Sequence, residues 1–256
     1  MSFPNTSPAP YNSPNMPVPK AYTVNGVDEY MRRTLVTTAP GTIKFTYSLW
    51  IKPAAWLGAS NFLDLWIVHN AGYTTLIVSN LSGAGNEFYL VQAGAQTIEE
   101  TATPITPDIP LNAWTHLLVS FDSSQAAAVD RLKFYVNGGF VADTAVDQPT
   151  LNQPHNLFTN GFLHDLFADP GDSEFDSTKG AFIDVIDGLA LDPTSFAFNN
   201  GGTWTRKKYS GSYGTYGFCL DGSDGFNDIS GNAQHFTGIN MDATNLSAAD
   251  MPPFTN

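Results

Sequence analysis

The sequence predicts an all-β sandwich, and three observations carry the prediction. Residues 43–52 alternate strictly, with Ile43, Phe45, Tyr47, Leu49 and Ile51 on one face, the period-2 pattern of a half-buried strand. Residues 114–141 read as two further strands. Thr115, Leu117, Val119 and Phe121 alternate with Trp114, His116, Leu118 and Ser120, then Leu132, Phe134 and Val136 alternate with Arg131, Lys133 and Tyr135. The second of these strands runs into Asn137-Gly138, a pair suited to the positive φ angles of a tight hairpin. Finally, nearly all the acid is Asp, with Glu only at 29, 87, 99, 100 and 174, and Asp suits turns and loops.

The elements follow in order. Residues 1–21 form an extended arm carrying Pro4, Pro8, Pro10, Pro14, Pro17 and Pro19 among Asn, Ser and Thr; proline at this density supports neither helix nor ladder. The arm is expected to dock on neighbouring subunits through Phe3, Pro4, Tyr11, Pro14 and Pro17, and residues 22–256 to form one domain. Residues 62–69, 74–78, 87–91 and 96–101 are short strands separated by Gly and Asn, an antiparallel meander. A Pro-rich loop, 102–113, feeds Trp114. Residues 157–163 are expected as a strand and 164–179 as an acidic loop with Asp165, Asp169, Asp172, Glu174 and Asp176. Ile183, Val185 and Leu189 are expected in the core, with a short helical turn capped near Asp192-Pro193-Thr194. The Gly-Tyr run 211–217 reads as a loop packed against a sheet edge.

Trp114, His116, Phe121 and Asp122, followed by Phe134, Tyr135, Val136, Asn137 and Gly138, resemble the W-x-H-x-x-x-x-(F/Y)-D and (L/F)-Y-V-N-G strands of concanavalin A-like and laminin-G-like jelly rolls. A narrower resemblance, to structural proteins of tailed bacteriophages with such a domain, spans about 25–256. It rests on residues 30–34 and 45–52, similar to Y-(L/M)-x-R-T … (F/W)-T-(Y/I)-S-x-W-(V/I)-K, and on four later segments. Residues 182–196 are similar to Y-I-A-E-V-x-F-I-D-G-x-A-L-x-P-x-S-F. Trp204, Lys207 to Tyr209 and residues 211–221 follow W-x-P-K-x-Y-x-G-S-Y-G-T-N-G-F-Y-L-D-F. Residues 228–232 stand in for D-S-S-G-N and 250–252 for D-x-P. Asp184 replaces the usual Glu, Arg206 a Pro and Tyr216 an Asn. The resemblance implies a concanavalin A-like jelly-roll β-sandwich in a virion. It would be a capsid decoration, head fibre or tail-fibre component that meets other virion proteins and copies of itself, and that holds host-surface glycans.

Composition narrows the function further. The 256 residues are 42% hydrophobic, enough for one substantial core, and 24 acidic against 11 basic residues give a net charge of −13. Such a surface repels phosphate, which disfavours nucleic acid. The single Cys219 allows no internal disulfide and reads as a small buried apolar residue. Neither a signal-peptide pattern nor an apolar run of membrane-spanning length occurs, so no membrane partner is expected. The fold also serves glycosidases and lectins, which remain alternatives. Yet the E-x-D-x-x-E string of its retaining glucanases is absent, and the nearest carboxylates, Asp172, Glu174 and Asp176, lie in the acidic stretch. No catalytic residue and no cofactor is therefore assigned. Asp169, Asp172 and Asp176 are the calcium candidates, because calcium takes several oxygen ligands. Asp184 is counted with them, Asp221, Asp224 and Asp228 form a second candidate set, and neither set has EF-hand spacing. The histidines 69, 116, 155, 164 and 235 show no zinc-binding pattern. Trp56, Trp66, Trp204, Tyr213 and Tyr216 are the candidate glycan-stacking rings.

Overall fold

The computed structural model describes residues 17–36, 42–54, 62–69, 73–81, 85–92, 98–102, 109–141, 148–170 and 174–254. The strands are β1 (Ala21–Asn25), β2 (Tyr30–Thr34), β3 (Lys44–Pro53), β4 (Phe62–His69), β5 (Tyr73–Leu81), β6 (Gly85–Gln92) and β7 (Ile98–Ala102). Next come β8 (Thr115–Asp122), β9 (Leu132–Val136), β10 (Gly139–Val141), β11 (Leu163–Leu166), β12 (Ala168–Asp169) and β13 (Glu174–Phe175). The last are β14 (Ser177–Asp187), β15 (Ala197–Asn200), β16 (Thr203–Arg206), β17 (Phe218–Leu220), β18 (Thr237–Ile239) and β19 (Leu246–Ser247).

They form an antiparallel sandwich. The larger sheet runs β10-β9-β8-β3-β14-β1-β19, with β17 pairing β14 beyond the end of β1; the facing sheet runs β18-β2-β11-β4-β5-β6-β7. Alternation is why they pack: Phe45, Tyr47, Leu49 and Ile51 from β3 and Leu117, Val119 and Phe121 from β8 enter one core. There they meet Leu63, Leu65, Trp66 and Val68 of β4 and Met31 of β2. The Tyr47 hydroxyl donates to the Leu65 carbonyl at 2.9 Å and so ties the sheets together. The predicted hairpin is present, with φ of 47° at Asn137 and 79° at Gly138.

Several expectations are corrected. Residues 157–163 are mostly turns, and the strand is Leu163–Leu166. The acidic loop is instead β11, a short β12–β13 hairpin and the start of β14. Within it Asp165 is fully buried, so its charge is matched by partners distant in sequence. Arg32 reaches it with Nε at 2.6 Å and Nη2 at 2.7 Å, and His69 Nε2 lies 2.7 Å away. Leu189 is 43% exposed rather than core. The sheet begins at Ala21, where the arm was expected to continue.

Candidate functional site

The outer face of the larger sheet is covered as well as its inner one. All eight residues of β8 are buried, although every second one points away from the core. The cover comes from the chain after β14. Phe196, with Leu191, Tyr209 and Tyr213, packs on Leu118 and Ile186. Ala197, Trp204 and Met251 pack with Trp50, Ala181 and Phe182.

A bulge in β14 makes the cover fit. Its register to β3 shifts between Ala181 and Asp184, and Phe182 has φ of 49°. One extra residue then sends both Ala181 and Phe182 outward. On the inner side Gly180 leaves room for Phe167, whose Cζ a Cβ would meet at 2.1 Å.

Several polar side chains under the cover are partnered within it, while Arg206 Nε and Trp50 Nε1 are buried with no hydrogen-bond partner among the described residues. Arg206, 4% exposed, donates to Asp184 Oδ2 at 3.0 Å and to the Phe196 carbonyl at 3.3 Å, and lies over the Phe182 ring at 4.8 Å. The Tyr213 hydroxyl donates to Asp184 Oδ1 at 2.7 Å. Burial pushes the Asp184 carboxyl up, and Arg206 and Tyr213 pull it part of the way back. Trp204 Nε1 lies 3.0 Å from His116 Nδ1, and His116 Nε2 lies 2.9 Å from Ser48 Oγ. An indole N–H only donates, so Nδ1 is the acceptor and the imidazole proton sits on Nε2. Burial, reinforced by Arg206, pushes the His116 pKa down to about 3, so the ring is neutral.

The segments after β14 are also bonded to one another. Asn232 Nδ2 donates to the Gly214 and Gly217 carbonyls at 2.9 Å each. Asp228 accepts from the Cys219, Ser230 and Gln234 amides, and Asp187 from those of Thr215 and Tyr216. Asp250 gathers Lys52, Lys179 and the Trp114 indole. Hydrogen bonding by Lys179 leads the effects that hold the Asp250 carboxyl at about 2.

Two clefts flank the cover, one at each end of β8. The first, about 410 Å³, is walled by Trp50, Trp114, Trp204 and Pro253, with Asn137, Asn199, Gly202 and Thr203 at its rim. None of these side chains is charged. The second, about 450 Å³, is polar: Ser120, Asp122, Gln125, Asp130, Lys133 and Asp192 surround the Tyr135 ring. Phe140, 52% exposed, stands 5.7 Å from Tyr135 in an edge-on contact. In this cleft burial raises the Asp122 carboxyl, but hydrogen bonds from Ser124, Gln125 and Lys44 outweigh it and bring its pKa down to about 2.

The structure scatters the predicted site residues. Trp66 is fully buried against Tyr47, Phe158 and Phe218 and is a core residue, not a sugar platform. Trp204 lines the uncharged cleft. Tyr213 bonds Asp184 and Tyr216 stacks on Phe158, so both serve packing. Trp56 and Asp172 lie outside the described residues. Of the other calcium candidates, Asp169 is half-buried in β12, and Asp176 turns inward to accept the Asp64 amide at 3.0 Å. Among the described residues no three His, Cys, Asp or Glu side chains converge on a metal position. Phe3, Pro4, Tyr11 and Pro14 lie outside the described residues; Pro17 is exposed. Cys219 is buried and free, as expected. Sequence reading missed the polar cleft, although the outward alternation of Lys133 and Tyr135 on β9 was its signal. No helix among the described residues is long and apolar enough to cross a membrane.

The sequence matches the model of the concanavalin A-like lectin/glucanases superfamily over residues 25–185, stopping before the cover. A search of curated proteins finds no match. Among solved structures the chain is similar to a heptameric SAP-like pentraxin from Limulus polyphemus, at 16% identity and TM-score 0.46, covering 68% of this chain and 78% of that one. It is similar to domain 4 of an extracellular arabinanase from Geobacillus stearothermophilus, in complex with arabinotriose, at 20% identity and TM-score 0.44, covering 68% and 73%. It is also similar to tailspike protein 2 of an Escherichia coli O157:H7 bacteriophage, at 11% identity and TM-score 0.42, covering 73% of this chain and 28% of the tailspike. With more than half of its length matched, the chain belongs to the concanavalin A-like lectin/glucanase superfamily.

Proposed function

We propose that this chain is a structural component of a tailed-bacteriophage particle, a capsid decoration or fibre subunit present in repeated copies, with the jelly roll as rigid carrier and the Pro-rich arm as tether. One observation carries the reading. The segments that resemble phage structural proteins, distant in sequence, are bonded to one another and to the sheet as a single cover. The carboxylates in them act as fasteners: Asp184 holds Arg206 and Tyr213, Asp228 three amides, and Asp250 two lysines and an indole. Carboxylates fixed in this way supply rigidity and not acid–base chemistry, and the reading is of a non-catalytic protein. The test is quantitative mass spectrometry of particles from the genome that encodes the chain. Stoichiometric recovery with the known capsid or tail proteins is expected; absence from purified particles overturns the reading.

A second activity, weak adhesion to host-surface glycans, is favoured by the polar cleft. Carboxylate, amide and ammonium groups beside the half-buried Tyr135 and the exposed Phe140 suit a hydroxyl-rich ring that needs both donors and acceptors and an apolar face to stack.

A further inference from the structure

On the outer face of the larger sheet the hydroxyls of Thr46 and Ser48 are partnered, and that of Ser120 is not. Thr46 Oγ1 donates to the Leu189 carbonyl and accepts from the Leu191 amide, each at 2.8 Å. Ser48 Oγ lies 2.9 Å from His116 Nε2. Ser120 stands beside Thr46 in the β3–β8 register. It is 9% exposed, yet its hydroxyl meets no partner among the described residues. A polar group so enclosed is ordinarily bonded. Ser120 alternates with the inward Val119 and Phe121 and lines the polar cleft, so a bound molecule in that cleft would supply the missing partner.

The walls of the cleft set the charge of that molecule. Lys133 of β9 is opposite Ser120 in register, and Tyr135 follows on the same face. Each lysine here is matched to one carboxylate: Lys133 Nζ lies 2.8 Å from Asp130 Oδ1, and Lys44 Nζ 3.0 Å from Asp122 Oδ2. Asp192 stands on the ledge that Thr46 anchors and has no ion-pair partner among the described residues. Its Oδ1 accepts the Thr194 amide at 2.8 Å and so caps the Pro193–Ser195 turn. Lys207 directs its ammonium to the Thr194 carbonyl, at 2.7 Å. The Tyr135 hydroxyl is also unbonded among the described residues. Burial raises its pKa, Lys133 lowers it, and Asp192 and Asp130 raise it, so these charges lie close to the ring. The cleft therefore holds one carboxylate in excess beside an aromatic ring, in a protein of net charge −13. Such a site repels carboxylated or phosphorylated sugars and attracts a cation, and an ammonium gains from the ring as well.

We propose that the polar cleft selects amine-bearing sugars: a glycan with a free, protonated amino group, its ammonium on Asp192, a hydroxyl on Ser120 and its ring face against Tyr135. A volume of about 450 Å³ is that of a small-ligand cleft. This deepens the adhesive reading of the cleft and rests on it for the ligand being a glycan.

The test titrates isotope-labelled full-length protein with β-1,4-linked trimers of glucosamine, N-acetylglucosamine and glucose, reading the backbone amide shifts of Ser120, Lys133 and Tyr135. It is run at about pH 6, where a sugar amine is protonated, and at about 0.15 M salt to screen the overall charge. The glucosamine trimer is expected to bind at least about fivefold tighter than either of the others. Asp192→Asn keeps Oδ1 for the turn and should bring the glucosamine and glucose trimers within about twofold of each other; its spectrum reports the fold. Equal affinities in the parent overturn the proposal and leave the glycan reading standing. A preference that survives Asp192→Asn also overturns it, because the preference then belongs to the charge of the whole chain. Shifts with N-acetyl-lysine amide but with no trimer overturn the sugar and give the cleft to a basic peptide. Silence with every probe overturns both the proposal and the glycan reading.

Discussion

Arg206→Ala tests whether the cover is structural. Arg206 is 4% exposed and Asp184 fully buried, and removing the guanidinium strands a carboxylate that keeps the Tyr213 hydroxyl as a donor. Breaking a buried pair from one side costs about 3–5 kcal/mol. At about 2–4 °C per kcal/mol for a chain of this size, the melting temperature falls by roughly 6–20 °C. The loss depends on pH in a definite direction. Burial already raises the Asp184 pKa, with Arg206 the largest opposing influence. In the variant that pKa rises further above its unfolded value. A carboxyl raised by folding stabilises at low pH and loses that contribution as pH rises through its folded pKa. The deficit relative to the parent is therefore largest at the high-pH end and shrinks on acidification. Urea unfolding at several pH values measures it, and Arg206→Ala/Asp184→Asn recovers much of the neutral-pH loss because no charge is left stranded. A deficit below about 1 kcal/mol that does not change with pH would refute the buried-pair account.

Three other outcomes follow from the geometry. Gly180→Ala places a Cβ 2.1 Å from Phe167 Cζ and should cost about 1–3 kcal/mol through overpacking, read as a lower urea midpoint with unchanged m; an unchanged midpoint contradicts the close approach. Asp250, held at about 2 against an ordinary 3.8, contributes stability above its unfolded pKa that is lost as pH falls from about 4 to about 2. Allowing for its partial exposure, Asp250→Asn should remove about 1 kcal/mol at pH 7 and flatten that limb of the acid titration. Tyr135→Ala should abolish glycan retention on an array while leaving the fold intact by circular dichroism, whereas Trp204→Ala should spare it; the reverse pattern moves the sugar site to the uncharged cleft beside Trp204.

The sandwich was legible because its strands alternate and its key hairpin carries Asn-Gly. What escaped was anything decided by partners far along the chain. His116, Ser48 and Asp184 occupy alternate, outward positions, which in isolation read as solvent-facing; the cover makes them interior. Asp165 looked like loop acid because Arg32 and His69, which contact it from β2 and β4, are invisible locally. Trp66 and the exposed rings look alike in sequence, since hydrophobic content does not say which side of a sheet is wet. Leu189 follows the strand period on paper, but the chain turns at Gly188, where φ is 83°, and carries it out of the core. The cover itself was traceable only as ordered resemblances, whose motif residues prove to be its fasteners.

The most direct test of the central claim is cryo-EM of intact particles from the encoding genome. The account predicts density for this jelly roll at symmetry-repeated positions on head or tail, with an extended segment leading from each Ala21 toward a neighbour. Well-resolved particles whose every surface protein is accounted for without this fold would contradict it, and would leave a free lectin or an enzyme as the role of the chain.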